Sequence, residues 1–144
     1  MAVRREKVAT LYRERFVRSW PAVPASVAEA RRAVVDFAGR LGATPAALAA
    51  IELALSEAST NAVQHAYVES DRPGPVLVTA EPFDTCLRVT VQDEGAGMRP
   101  RPDSPGLGLG LPLISQMTQS FEVQQAPGGG TILCMRFDLQ RGQL

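Results

Sequence analysis

Residues 44–67 constrain this chain more than any other stretch. Thr44-Pro45 places a side-chain N-cap before a proline at the first helical position, and neither Gly nor Pro interrupts the run to Tyr67. The stretch therefore predicts one long helix. Ile51, Ala54, Leu55, Ala58, Ala62 and Ala66 recur at helical spacing and mark its core face. Glu57, Asn61 and His65 stand four residues apart, which is a single stripe on a helix turning about 100° per residue. That stripe adjoins the apolar face, so the three polar groups are expected at the edge of the core. Burying them there is costly unless something binds them.

The remaining segments supply the surface on which such a helix lies. Phe16, Val17 and Trp20 suggest a short strand over 15–21. Ser26-Val-Ala-Glu29 has the pattern of a capping box, which predicts a first helix from there to about Leu41, ended by Gly42. Val76–Pro82 and Cys86–Gln92 read as a hairpin joined by Phe83-Asp84-Thr85. Leu111–Thr118 reads as a short helix with Pro112 in its first turn. Ser120–Gln125 and Thr131–Leu139 read as two further strands around the turn Ala126-Pro-Gly-Gly-Gly130. The sum is an α+β fold: helices on one face of a mixed, mainly antiparallel sheet.

Length and composition exclude several classes. The chain has 144 residues, which suits one core and one domain, assigned to 14–144 after a flexible basic arm at 1–13. Fifteen basic residues balance fifteen acidic ones, so no net field draws the chain to nucleic acid. No apolar run is long enough to span a membrane, and the N-terminus lacks the apolar core of a secretory signal. A cytoplasmic location is expected. Cys86 and Cys134 lack metal-like spacing and are expected as small buried hydrophobes in a reducing compartment.

Three glycine-rich pieces follow the polar helix. Asp93-Glu-Gly-Ala-Gly97 ends a strand, Gly106-Leu-Gly-Leu-Gly-Leu111 leads into a helix, and Gly128-Gly-Gly-Thr131 leads into the last strand. A glycine turn before a helix presents free N–H groups and the positive end of the helix dipole, which suits phosphate. A Walker loop is absent because no Gly-Lys-Ser/Thr occurs. The dinucleotide fingerprint also fails, since its last glycine falls on Leu111 or Leu113. The loop from Asp93 to Gly110 is long for a compact domain, and loops of that length are usually functional.

The ordered set of Glu57-x-x-x-Asn61, Asp93-x-Gly95-x-Gly97, Gly106-x-Gly108-x-Gly110 and Gly130-Thr131 resembles the ATPase superfamily shared by gyrase, heat-shock chaperone, histidine kinase and mismatch-repair proteins. Within it, Leu55–Tyr67 and the short length look like the anti-sigma-factor serine/threonine kinases. The resemblance covers roughly residues 15–139. It implies the Bergerat two-layer α/β sandwich, with ATP and Mg²⁺ as cofactors. By that resemblance Asp93 accepts a hydrogen bond from the adenine amino group, with Thr131 in support and Gly95 and Gly97 beside it. Asn61 becomes the Mg²⁺ ligand, and Gly106, Gly108 and Gly110 face the phosphates. Glu57 becomes the general base, whereas histidine kinases usually carry Asn there; a carboxylate favours attack by a hydroxyl or by water. His65 is read as structural. Arg99 and Arg101, in the Pro-rich stretch 98–105, are left open between phosphate, partner and solvent.

The implied function is a serine/threonine kinase that phosphorylates a small STAS-type anti-anti-sigma partner and sequesters a sigma factor. Members of that family often form homodimers. Two alternatives stand beside it. One is a nucleotide-gated binding module without kinase activity. The other is a detached histidine kinase ATPase domain, which Glu57 and the missing dimerisation helix argue against.

Overall fold

The computed structural model describes residues 14–66, 72–95 and 107–140. In chain order its elements are β1 (Phe16–Pro21), α1 (Pro24–Arg40), α2 (Pro45–His65), β2 (Pro75–Phe83), β3 (Cys86–Asp93), α3 (Leu107–Met117), β4 (Ser120–Gln125) and β5 (Thr131–Asp138). The strands form one sheet in the order β1-β2-β3-β5-β4. All four pairings are antiparallel, so the sheet is more uniform than the mixed one expected. The basic arm and the Pro-rich stretch with Arg99 and Arg101 lie outside the described residues.

Strand alternation decides which side chains the helices cover. Val76, Val78 and Ala80 of β2, Leu87, Val89 and Val91 of β3, and Leu133, Met135 and Phe137 of β5 are all buried. They form one core with Ala50, Ile51, Ala54, Leu55, Ala58 and Ala62 of α2 and with Val34 and Phe37 of α1. The intervening residues, Thr79, Arg88, Thr90, Cys134 and Arg136, point to the other face, which no described element covers. Both cysteines are therefore free and half-buried on the open face, not buried in the core as expected. Their odd-even position in the strand decides this, and Cys86 Sγ reaches Gln119 Oε1 at 3.3 Å.

Local chemistry sets the helix ends. Thr44 Oγ1 accepts a hydrogen bond from the Ala47 N–H at 3.1 Å, and Pro45 occupies the first helical position, as the sequence indicates. Gly42 leaves α1 in a left-handed conformation with φ of +86°. The capping box at Ser26 does not form. Helix α1 starts two residues earlier at Pro24, Val23 is the N-cap, and no side chain caps it. The proline, with its fixed φ and missing N–H, initiates this helix instead. Ser26 consequently lies within the first turn and is buried. Helix α3 starts at Leu107, so Pro112 falls inside it and not in its first turn. A proline there removes one i→i−4 hydrogen bond, a loss tolerated within a helix whose Ile114 is fully buried.

Ser59 faces the interior of α2 with 3% exposure, and its hydroxyl has no partner among the described residues. It borders a void of about 10 Å³ between Trp20, Ser26, Ala30, Val63 and Val76, room for about one water. A buried hydroxyl without a partner opposes folding. Ser59→Ala is expected to raise the free energy of unfolding by about 1 kcal/mol, read from urea denaturation; a loss of stability would show that the hydroxyl is satisfied by an internal water.

Candidate functional site

Two groups of polar residues occupy the core side of the sheet. The first sits on α2. Asn61 is 3% exposed, deeper than the core-edge position its stripe suggested, and its Nδ2 has no hydrogen-bond partner among the described residues. Glu57, one turn earlier, is half-buried, about 6 Å away along the helix axis. The side chain of His65 lies outside the described residues. Ala58 and Ala62 on the same helix are buried against the sheet, so the helix phase that seats them also turns Asn61 inward.

The second group sits where β3 ends against the start of β5. Asp93 and Thr131 are register partners and both are buried. The Gly95 N–H donates to Asp93 Oδ1 at 3.0 Å. Burial raises the Asp93 carboxyl above its ordinary value; backbone N–H donation from Gly95 and Thr131 pulls it part of the way back. An acceptor held this way, deprived of water and fixed by its own backbone, is suited to a ligand N–H donor and ill-suited to a ligand carbonyl.

The turn before β5 gives a role to a residue that the motif contains without assigning it one. Gly128, Gly129 and Gly130 all have positive φ, and Gly130 (+93°) lies directly on the Asp93 backbone. A Cβ built there would come within 2.9 Å of both the Asp93 carbonyl carbon and Glu94 Cα. The Gly-Gly-Gly-Thr run carried this signal, but only the pairing of β3 with β5 shows which glycine is indispensable. Gly130→Ala is expected to lower unfolding stability by at least ~2 kcal/mol through clash and strained φ, whereas Gly128→Ala, open on all sides, costs only the φ strain of about 1 kcal/mol. Equal thermal midpoints for the two variants would refute the close approach.

The remaining predicted site residues divide between described and undescribed segments. Gly95 stands beside Asp93. Gly108 and Gly110 fall in the first turn of α3, where backbone N–H groups have no helical acceptor. Gly97 and Gly106 lie outside the described residues. Helix α2 packs on β3, β5 and α3, so Asn61 and the Asp93 pair are both buried between the helix layer and the sheet. The orphaned amide of Asn61 and the desolvated, backbone-held carboxylate of Asp93 fit a nucleotide with a hard divalent cation: an amide oxygen is a ligand for such a cation, and an amide N–H₂ donates to phosphate oxygen.

The two-layer sandwich, with a carboxylate at one strand end and a buried amide on the facing helix, is the arrangement expected of a nucleotide-binding domain. Comparison with known proteins agrees. The histidine kinase-like ATPase domain matches residues 20–137. The anti-sigma F factor of Pasteuria penetrans is 34% identical over 122 residues, covering 77% of this chain and 81% of that protein. The serine-protein kinase RsbW of Bacillus subtilis is 43% identical over 75 residues, 52% of this chain and 46% of that one. The RsbU and RsbW domains of a Mycobacterium tuberculosis protein share the fold with a TM-score of 0.70 at 22% identity, over 88% of this chain and 32% of that chain. The chain belongs to the histidine kinase-like ATPase family.

Proposed function

We propose that this protein is an anti-sigma-factor type serine/threonine protein kinase. It uses Mg·ATP to phosphorylate a small STAS-type anti-anti-sigma partner, and it sequesters a sigma factor while that partner is phosphorylated. The observation that carries the reading is the pairing on α2 of a half-buried carboxylate, Glu57, with a buried, unpartnered amide, Asn61, one turn on. The relatives named anti-sigma F factor and serine-protein kinase support it.

Each residue then has a task. Asp93 accepts the adenine amino N–H, supported by Thr131, and Gly95 and Gly97 let the base approach the backbone. Gly106, Gly108 and Gly110 offer N–H groups to the phosphates at the α3 terminus. The Asn61 amide oxygen ligates Mg²⁺, which supplies neutralisation of phosphate charge when bound. Glu57 takes the proton from the partner's serine or threonine hydroxyl. As that proton leaves, the hydroxyl oxygen bonds to the γ-phosphorus, the bond to the β–γ bridging oxygen breaks, and ADP departs. We place the reaction in the cytoplasm and expect the chain to act as a homodimer. No helix among the described residues is long and apolar enough to cross a membrane.

The test is transfer of label from γ-labelled Mg·ATP into proteins of the source lysate. An acid-stable label on a small protein, dependent on Glu57, supports the kinase. An acid-labile label supports histidine chemistry, and ATP binding without any transfer supports a nucleotide-gated binding module.

A further inference from the structure

The face of the sheet away from the helices carries a charge arrangement that the ATPase reading does not use. Antiparallel register sets Glu81, Arg88, Arg136 and Ser120 in one row across β2, β3, β5 and β4. Arg88 and Arg136 are direct cross-strand partners, and like charges placed opposite one another destabilise a sheet. Neither guanidinium has a carboxylate partner among the described residues. Both instead lie over the ring of Phe83, at 5.9 and 5.7 Å, and Phe83 is itself 54% exposed. The next row holds Thr79, Thr90, Cys134 and Glu122. Arg88, Thr90, Ser120, Glu122, Cys134 and Arg136 line a cleft of about 550 Å³.

We propose that this cleft docks an acidic, extended segment of a partner protein. Two guanidiniums side by side form a fork suited to a carboxylate, and an anion between them removes the repulsion that the register creates. The exposed Phe83 ring offers an apolar contact beside the charge. Glu122 decides between kinds of anion. It stands one row away, about 7 Å along the strands, with one oxygen accepting from Gln124 Nε2 at 3.1 Å. A free polyphosphate meets repulsion there, whereas a peptide satisfies both places with a carboxylate on the arginines and a donor on Glu122. The cleft spreads over three strands and has no lid among the described residues, a shape for an extended chain. This site lies across the sheet from Asn61 and Asp93, so it stands or falls separately from the kinase reading.

The experiment uses the full chain and three probes: a fluorescein-labelled peptide of alternating Glu and Ser, its Lys/Ser counterpart, and inorganic pyrophosphate as competitor. The acidic peptide is expected to bind, with affinity falling as salt rises, and the basic one not to bind. Arg88→Gln/Arg136→Gln should weaken the acidic peptide at least about tenfold with ATP affinity unchanged. Glu122→Gln, which leaves the arginines in place, should not strengthen the peptide but should let pyrophosphate compete at least about threefold better. Equal affinity in the arginine variant overturns the proposal, as does absence of binding. Pyrophosphate displacing the peptide at matching concentration would reassign the cleft to small anions. Self-association of the wild type, lost in the arginine variant by sedimentation, would reassign it to a second copy of the chain.

Discussion

Asp93→Asn should bind ATP at least ~100-fold more weakly than the wild type while folding equally well or better. The substitution keeps the shape of the side chain and exchanges one acceptor oxygen for a donor N–H₂. Asp93 is buried, and the N–H groups of Gly95 and Thr131 already orient its carboxylate. An asparagine in that place keeps its oxygen toward those backbone donors and turns N–H₂ toward the base. Two donors then face each other in a buried site, an arrangement penalised far more than the loss of one hydrogen bond. Isothermal titration with ATP reads the loss; unchanged affinity would remove Asp93 from the nucleotide site.

The same residue sets a pH dependence whose sign is fixed by its burial. Its carboxyl titrates above the ordinary carboxylate value in the folded chain because burial disfavours the charge. The folded state therefore holds its proton to higher pH than the unfolded state does. The stability contributed by Asp93 is present below the unfolded value and is lost as pH rises through the folded one. Asp93→Asn removes that loss, so the variant without nucleotide should melt higher than the wild type near neutral pH, with the gap closing in acid. ATP affinity should follow the opposite course, since it needs the carboxylate: it should fall on acidification sooner than an ordinary Asp would dictate.

Glu57→Ala should abolish phosphotransfer, lowering kcat about 10²–10⁴-fold, with ATP affinity changed less than about threefold. Glu57 is half-buried, one turn from Asn61, and the proposed mechanism gives it neither adenine nor cation to hold. A base acts only where the hydroxyl loses its proton, so its loss appears in kcat and spares the nucleotide Kd. A matching rise in the ATP Kd would make Glu57 a binding residue. Wild-type phosphotransfer in Glu57→Gln would exclude proton removal by this side chain.

Much of the fold was legible in the sequence because its cues are local. Thr44-Pro45 caps α2 through a hydroxyl three residues from the N–H it serves. The hairpin of β2 and β3 announces itself by alternation on both sides of Asp84-Thr85, where Asp84 takes a φ of +53°. The Ala126–Gly130 turn closes on itself through the Ala126 N–H donating to the Gly130 carbonyl at 3.0 Å. Where two local cues compete, the pattern alone does not decide between them. Ser26-x-x-Glu29 looked like a cap, but Pro24 had already started the helix. Pro112 looked like a helix start, but the glycine-leucine run before it is helical from Leu107.

By itself, then, the sequence determined the long capped helix, the strand alternation, the glycine turns and the spacing of Glu57 from Asn61. These depend on neighbours within a few residues, where periodicity and turn chemistry act directly. Tertiary structure decided what those residues experience. Asn61 is orphaned because α2 lies on the sheet in one rotational phase. Asp93 is desolvated, and Gly130 irreplaceable, because β5 inserts between β3 and β4. Arg88 meets Arg136 for the same reason. Strand partners so far apart in the chain are chosen by the burial of the whole core, and no local pattern encodes that choice.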